Sequence, residues 1–186
     1  FNMIDLFLHD TYYVIGHFHY VVAPGTIFAL FAGIYPWYPK ITGRMLHEGM
    51  GKWHFWITFV GSYGIYYPMH YLGMMGVPRR YYAIEGTDFI TQSAHSVNVG
   101  ITIAALIVGA VQVVFLYNLV WSYFRGKPSG GNPWNATTLE WQTPDTPPKH
   151  GNFGPTLPLV YRWAYDYSVP GAEQDFIPQN VPPDKA

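Results

Sequence analysis

Residues 100–121 read GITIAALIVGAVQVVFLYNLVW, and only Thr102, Gln112 and Asn118 interrupt the apolar run. A bilayer span needs about 20 predominantly apolar residues, so this stretch reads as a transmembrane helix. It lies in a window, Phe89–Phe124, that holds no Asp, Glu, Lys or Arg. Two more such windows run from Thr11 to Pro39 and from Trp53 to Pro78. Both are rich in Tyr, Trp, His and Gly, which suits helices packed on protein or cofactor more than on lipid. Charged residues make up 11% of the 186 and aromatics 19%, against roughly 25% charge in soluble domains. The expected class is an all-α membrane protein with three transmembrane helices, at about 12–38, 53–75 and 90–124 in the region 12–125. Residues 1–11 form a lead-in on the outer side.

From residue 126 to 186 the chain changes character, with 11 of its 16 prolines and no long apolar run. Such a segment cannot build a long helix. Its aromatics (Trp134, Trp141, Phe153, Tyr161, Trp163, Tyr165, Tyr167) predict an extended, Pro-rich tail draped over a partner. There is no cysteine, which excludes a disulfide framework and a thiolate metal site. The start at Phe1, with no basic leader before His9 and Asp10, suggests a fragment or a processed chain.

Loop charge orients the spans. Lys40, Arg44 and Lys52 follow the first span, and Arg125 and Lys127 follow the third. With three spans these lie on one side, the cytoplasmic or matrix side, and the tail lies there too. The loop after the second span then faces outward, yet it carries Arg79 and Arg80 against the positive-inside bias. A bound anion would explain them, because guanidinium groups make forked bonds to carboxylates and phosphates. An ordinary basic loop is the bland reading.

The chemistry concentrates in His9-Asp10-Thr11-Tyr12-Tyr13-Val14-Ile15-Gly16-His17-Phe18-His19-Tyr20. His17 and His19 fall about 10–14 Å into the first span at 1.5 Å per residue. Ionisable groups at that depth are costly and often functional, although a neutral histidine bonded to a neighbouring helix is the simpler alternative. Residues two apart on a helix point about 200° from one another. The pair therefore suits two metal centres, one on each side of the helix, with Phe18 between them. Imidazole is a usual axial ligand of haem iron. Asp10 could also cap the span. His54 and His70 read as packing or hydrogen-bonding residues, and Pro24 and Pro68 should kink their helices.

The His9–Tyr20 run closely resembles the tenth-helix signature of subunit I of haem-copper oxidases, of the cytochrome c oxidase type. The resemblance continues through Gly76-Val77-Pro78-Arg79-Arg80-Tyr81 and reaches Asn132-Pro133-Trp134. It implies that His17 is the proximal, catalytic ligand of a high-spin haem and His19 an axial ligand of a low-spin haem. Phe18 would lie on the electron path, and Arg79, Arg80 and Asp5 near the haem propionates. His9 and Asp10 match magnesium ligands.

The same resemblance implies the last three of twelve spans, with the active-site copper ligated by a missing part. Implied cofactors are two haems of type A and magnesium. Implied partners are the remainder of subunit I, subunit II with its copper centre, other oxidase subunits, cytochrome c and the bilayer, with no nucleic acid. The expected setting is the bacterial cytoplasmic or mitochondrial inner membrane, where a proton-pumping oxidase reduces oxygen to water. Alternatives are a quinol oxidase of the same superfamily, a nitric oxide reductase or a non-catalytic membrane scaffold.

Overall fold

The computed structural model describes residues 2–82, 92–144, 146–165, 171 and 174–182. Tyr167 and the first two residues of the expected third span lie outside them. The described residues are all-helical: α1 (Asn2–Leu8), α2 (Tyr12–Thr42), α3 (Glu48–Met74), α4 (Gln92–Arg125) and a 3-10 turn, η1 (Leu139–Trp141). Two stretches, α2 and the Ala94–Arg125 part of α4, are long and apolar enough to cross a membrane. The expected second span corresponds to α3, which is 27 residues long, but its tyrosines, histidines and glycines dilute its apolar run.

Two elements differ from the expectation. The lead-in contains a helix, α1, whose side chains are all exposed or half-exposed. The start of α2 is capped by Thr11, not Asp10: Thr11 Oγ1 accepts the Tyr13 N–H at 3.3 Å. Asp10 has a positive φ of 55°, and its carboxylate is engaged elsewhere. Helical structure continues through Pro24 in α2 and Pro68 in α3.

The chain divides into two compact units. The first comprises residues 1–32 and 48–118, and its core joins Ile65, Leu72, Val77, Ala94 and Ile101. Small residues let the helices approach closely, as in membrane bundles. A Cβ at Gly64 would lie 3.4 Å from the Ala104 methyl, and one at Gly16 would lie 3.0 Å from the His70 ring and the Tyr66 carbonyl. Gly73 is the tightest: a Cβ there would overlap the Tyr13 main chain, 2.6 Å from its Cα. Gly73→Ala must push α2 from α3, and overpacking of this kind costs about 1–3 kcal/mol. The melting temperature of the assembled complex is expected to fall, and an unchanged value would contradict this crossing.

Between α3 and α4, His54, Thr58 and Gln112 form a hydrogen-bonded group, as burial of polar atoms requires. His54, 1% exposed, is 3.0 Å from Gln112 Oε1 through Nε2. Gln112 Nε2 donates to Thr58 Oγ1 at 3.1 Å and to the Val108 carbonyl at 3.0 Å. Phe31 and Phe115 enclose the imidazole, with ring centroids 4.5 and 4.8 Å away. His54 is thus a packed, hydrogen-bonded residue.

The second unit comprises residues 33–47 and 119–186. Gly43, with φ 72°, ends α2, its N–H reaching the Pro39 carbonyl at 2.8 Å. The tail then packs on the last turns of that helix. Trp134 Nε1 donates to the Pro36 carbonyl at 3.0 Å, and Trp141 stacks on Trp37 at 5.5 Å. Lys40, 3% exposed, lies 5.7 Å from the centre of the Trp141 ring. A partner for the start of the tail is therefore this chain's own helix end.

Candidate functional site

The two histidines of α2 have unlike surroundings. His17 is exposed, as is Phe18 beside it, and Val21 and Val22 continue this face at 65% and 58% exposure. His19 is half-buried. Its ring stacks on Tyr66 of α3 at 5.1 Å and 14°, and Phe18 lies 4.2 Å away between centroids.

Local helix geometry sets the tautomer of His19. Its Nδ1 is 2.8 Å from the carbonyl of Ile15, one turn back. A carbonyl only accepts, so Nδ1 carries the proton and Nε2 keeps its lone pair. Orientation of a ligating imidazole through its other nitrogen is a general feature of metal sites. His70 repeats the pattern, its Nδ1 3.0 Å from the Tyr66 carbonyl, and its ring packs edge-on to Tyr13 at 4.8 Å.

At the N-terminal end of α2, the structure brings together His9, Asp10 and Arg79. Arg79 Nε donates to Asp10 Oδ1 at 2.7 Å, and His9 Nε2 lies 3.4 Å from Asp10 Oδ2. The main chain supports this clasp: Tyr12 N–H donates to the Val77 carbonyl at 3.1 Å, and Arg79 N–H to the Asp10 carbonyl at 2.8 Å. The Arg79 hydrogen bond holds the Asp10 carboxyl below its usual range, opposed by desolvation and aided by the charges of His9, Arg79 and Arg80. Arg80 is exposed with φ 63°. Neither Arg80 nor Asp5, exposed on α1, joins the clasp through a side-chain hydrogen bond or ion pair among the described residues. No group of three or more candidate metal-ligating side chains occurs among them.

Sequence reasoning missed Gly16, Tyr66 and the Ile15 carbonyl. A glycine directly before His17 was a visible signal for close helix approach. Tyr66, 47 positions beyond His19, carried no signal, because their contact exists only once α2 and α3 pack.

These elements define an all-helical membrane chain with two imidazoles in different environments on one helix. The chain belongs to the cytochrome c and quinol oxidase polypeptide I family, whose description matches residues 1–107, more than half of its length. It is 63% identical over 181 residues to the alternative cytochrome c oxidase subunit 1 of Bradyrhizobium diazoefficiens, covering 97% of this chain and 31% of that protein. It is 44% identical over 166 residues to cytochrome c oxidase subunit 1 of Thermostichus vulcanus, covering 89% of this chain and 29% of that one. Against the Bacillus subtilis subunit 1 the identity is 40% over 157 residues, covering 84% and 24%. The chain thus spans less than a third of the length of these relatives.

Proposed function

We propose that this chain is a segment of the catalytic subunit of a proton-pumping cytochrome c oxidase, in which His17 and His19 ligate two different haems. Two haems bound there, of type A on the family resemblance, would supply electron transfer and oxygen binding. The observation that carries the reading is the unlike setting of the two imidazoles on α2. His19 offers a lone pair at Nε2 because Ile15 holds Nδ1 at 2.8 Å. His17 stands exposed on an apolar face with Phe18 and Val21, which fits a flat apolar macrocycle with its iron ligand.

The chain's own residues would bind, orient and screen these groups. Tyr66 holds the His19 ring in plane by stacking, and Phe18 separates the two histidines along the helix. Arg79 and Arg80 would neutralise propionates: the Asp10 bond uses Arg79 Nε, and among the described residues its two terminal nitrogens make no side-chain hydrogen bond, which leaves them for a second anion. Asp5 would belong to the same region. His9 and Asp10 would contribute two donors to magnesium, which commonly keeps several waters and takes few protein ligands. The rest of subunit I would hold the active-site copper, and subunit II would pass electrons from cytochrome c. In this arrangement α3 is the second of three spans, and the C-terminus lies on the cytoplasmic or matrix side.

The test is the reduced-minus-oxidised visible spectrum of the purified complex containing this chain. Low-spin and high-spin haem bands are expected together, and a complex with no haem absorption would sink the reading.

A further inference from the structure

Residues 157–165, LPLVYRWAY, turn their apolar side chains outward. Leu157, Leu159 and Trp163 are 82%, 70% and 71% exposed, and Val160, Tyr161 and Tyr165 are exposed as well. The positions between them, Pro158, Arg162 and Ala164, are half-buried. A water-facing surface segment would show the reverse pattern.

The segment is nonetheless held in place. Tyr161 N–H donates to the Gln179 carbonyl at 2.9 Å, and Gln179 N–H donates to the Thr137 carbonyl at 2.9 Å. Thr137 Oγ1 donates to the Ala164 carbonyl at 3.1 Å, and Gln179 Nε2 to the Arg162 carbonyl at 3.3 Å. Six apolar side chains are thus presented on an anchored backbone, and exposed apolar patches of this kind mark protein or membrane contacts.

The tether indicates which contact. Thr137 lies between Trp134 and Trp141, the residues that dock on Pro36 and Trp37. The stripe is therefore fastened to the closing turns of α2, a helix long and apolar enough to cross a membrane. The 31 residues of α2 measure roughly 46 Å at 1.5 Å per residue, longer than the hydrocarbon core of about 30 Å. That excess length lets its closing turns reach the headgroup layer. The same unit exposes Tyr123 and Phe124 at the last turn of α4, another aromatic surface at the end of a membrane helix. Trp and Tyr concentrate at this level of a bilayer, where an apolar ring and a polar edge are both satisfied. The only charge in the segment, Arg162, turns inward and donates through NH2 to the Val181 carbonyl at 3.3 Å.

We infer that residues 157–165 form an interfacial membrane anchor, laying their apolar side chains into the lipid boundary beside the end of α2. Spin labelling of the whole oxidase complex tests this in phosphatidylcholine–phosphatidylglycerol vesicles. The chain has no cysteine, so Leu159→Cys gives one label in it once reactive cysteines of the other subunits are blocked. Asn152→Cys, at an exposed turn, serves as the aqueous reference. Oxygen is expected to relax the Leu159→Cys label several-fold more than a water-soluble nickel complex does, with the opposite order at Asn152→Cys. Nickel access equal to the reference would place the stripe in water. Exclusion of both reagents would place it under another subunit. Either result overturns the inference.

Discussion

Replacing His19 with alanine in the assembled oxidase is expected to remove the low-spin haem band and leave the high-spin band. Loss of a group that merely orients a metal ligand costs about 10–100-fold in affinity or activity, so loss of the ligand itself should exceed about 100-fold. The selectivity carries the argument. His19 faces Tyr66, whereas His17 is exposed on its own, so one substitution leaves the other imidazole in place. A His19→Gln variant controls for packing, since it retains a side chain beside Tyr66 and still offers no imidazole. If both bands vanish together in both variants, the two histidines do not serve separate centres.

The complementary substitution, His17→Ala, should abolish oxygen reduction and the high-spin signal while low-spin absorption persists. Its structural cost should be small, because the His17 side chain makes no hydrogen bond or ring contact among the described residues. Added imidazole is expected to restore part of the high-spin spectrum by entering the vacated position. Retention of full oxygen reduction by His17→Ala would remove this residue from the proposed site. Together the two variants separate a helix that serves two cofactors from one that is simply rich in histidine.

Much of this was legible beforehand, for reasons that lie in the chain itself. Charge-free windows mark candidate membrane helices because an unpaired charge in hydrocarbon is expensive whatever surrounds it. The spacing of His17 and His19 states their angular separation because helix geometry is local. Other features depend on what packs against what. Thr11 and Asp10 are both acceptable caps by residue type. Thr11 takes the role because Arg79, far along the chain, engages the Asp10 carboxylate at 2.7 Å. Likewise, Gly73 reads as a helix-weakening residue until Tyr13 is seen against it. The Pro-rich tail signalled a partner, but not that Trp141 would stack on Trp37 of the same chain.

The all-helical class, the candidate spans and the angular separation of the two histidines were thus determined by sequence, since each follows from composition or from spacing within one turn or two. Tertiary structure decided that Tyr66 stacks on the His19 ring, how the clasp of His9, Asp10 and Arg79 closes, and which side chains of the tail face outward. Those outcomes are set by contacts between residues tens of positions apart, where every candidate partner has a similar chemical character. Only the packed helices choose among them, because close approach at Gly16 and Gly73 fixes which groups come within reach.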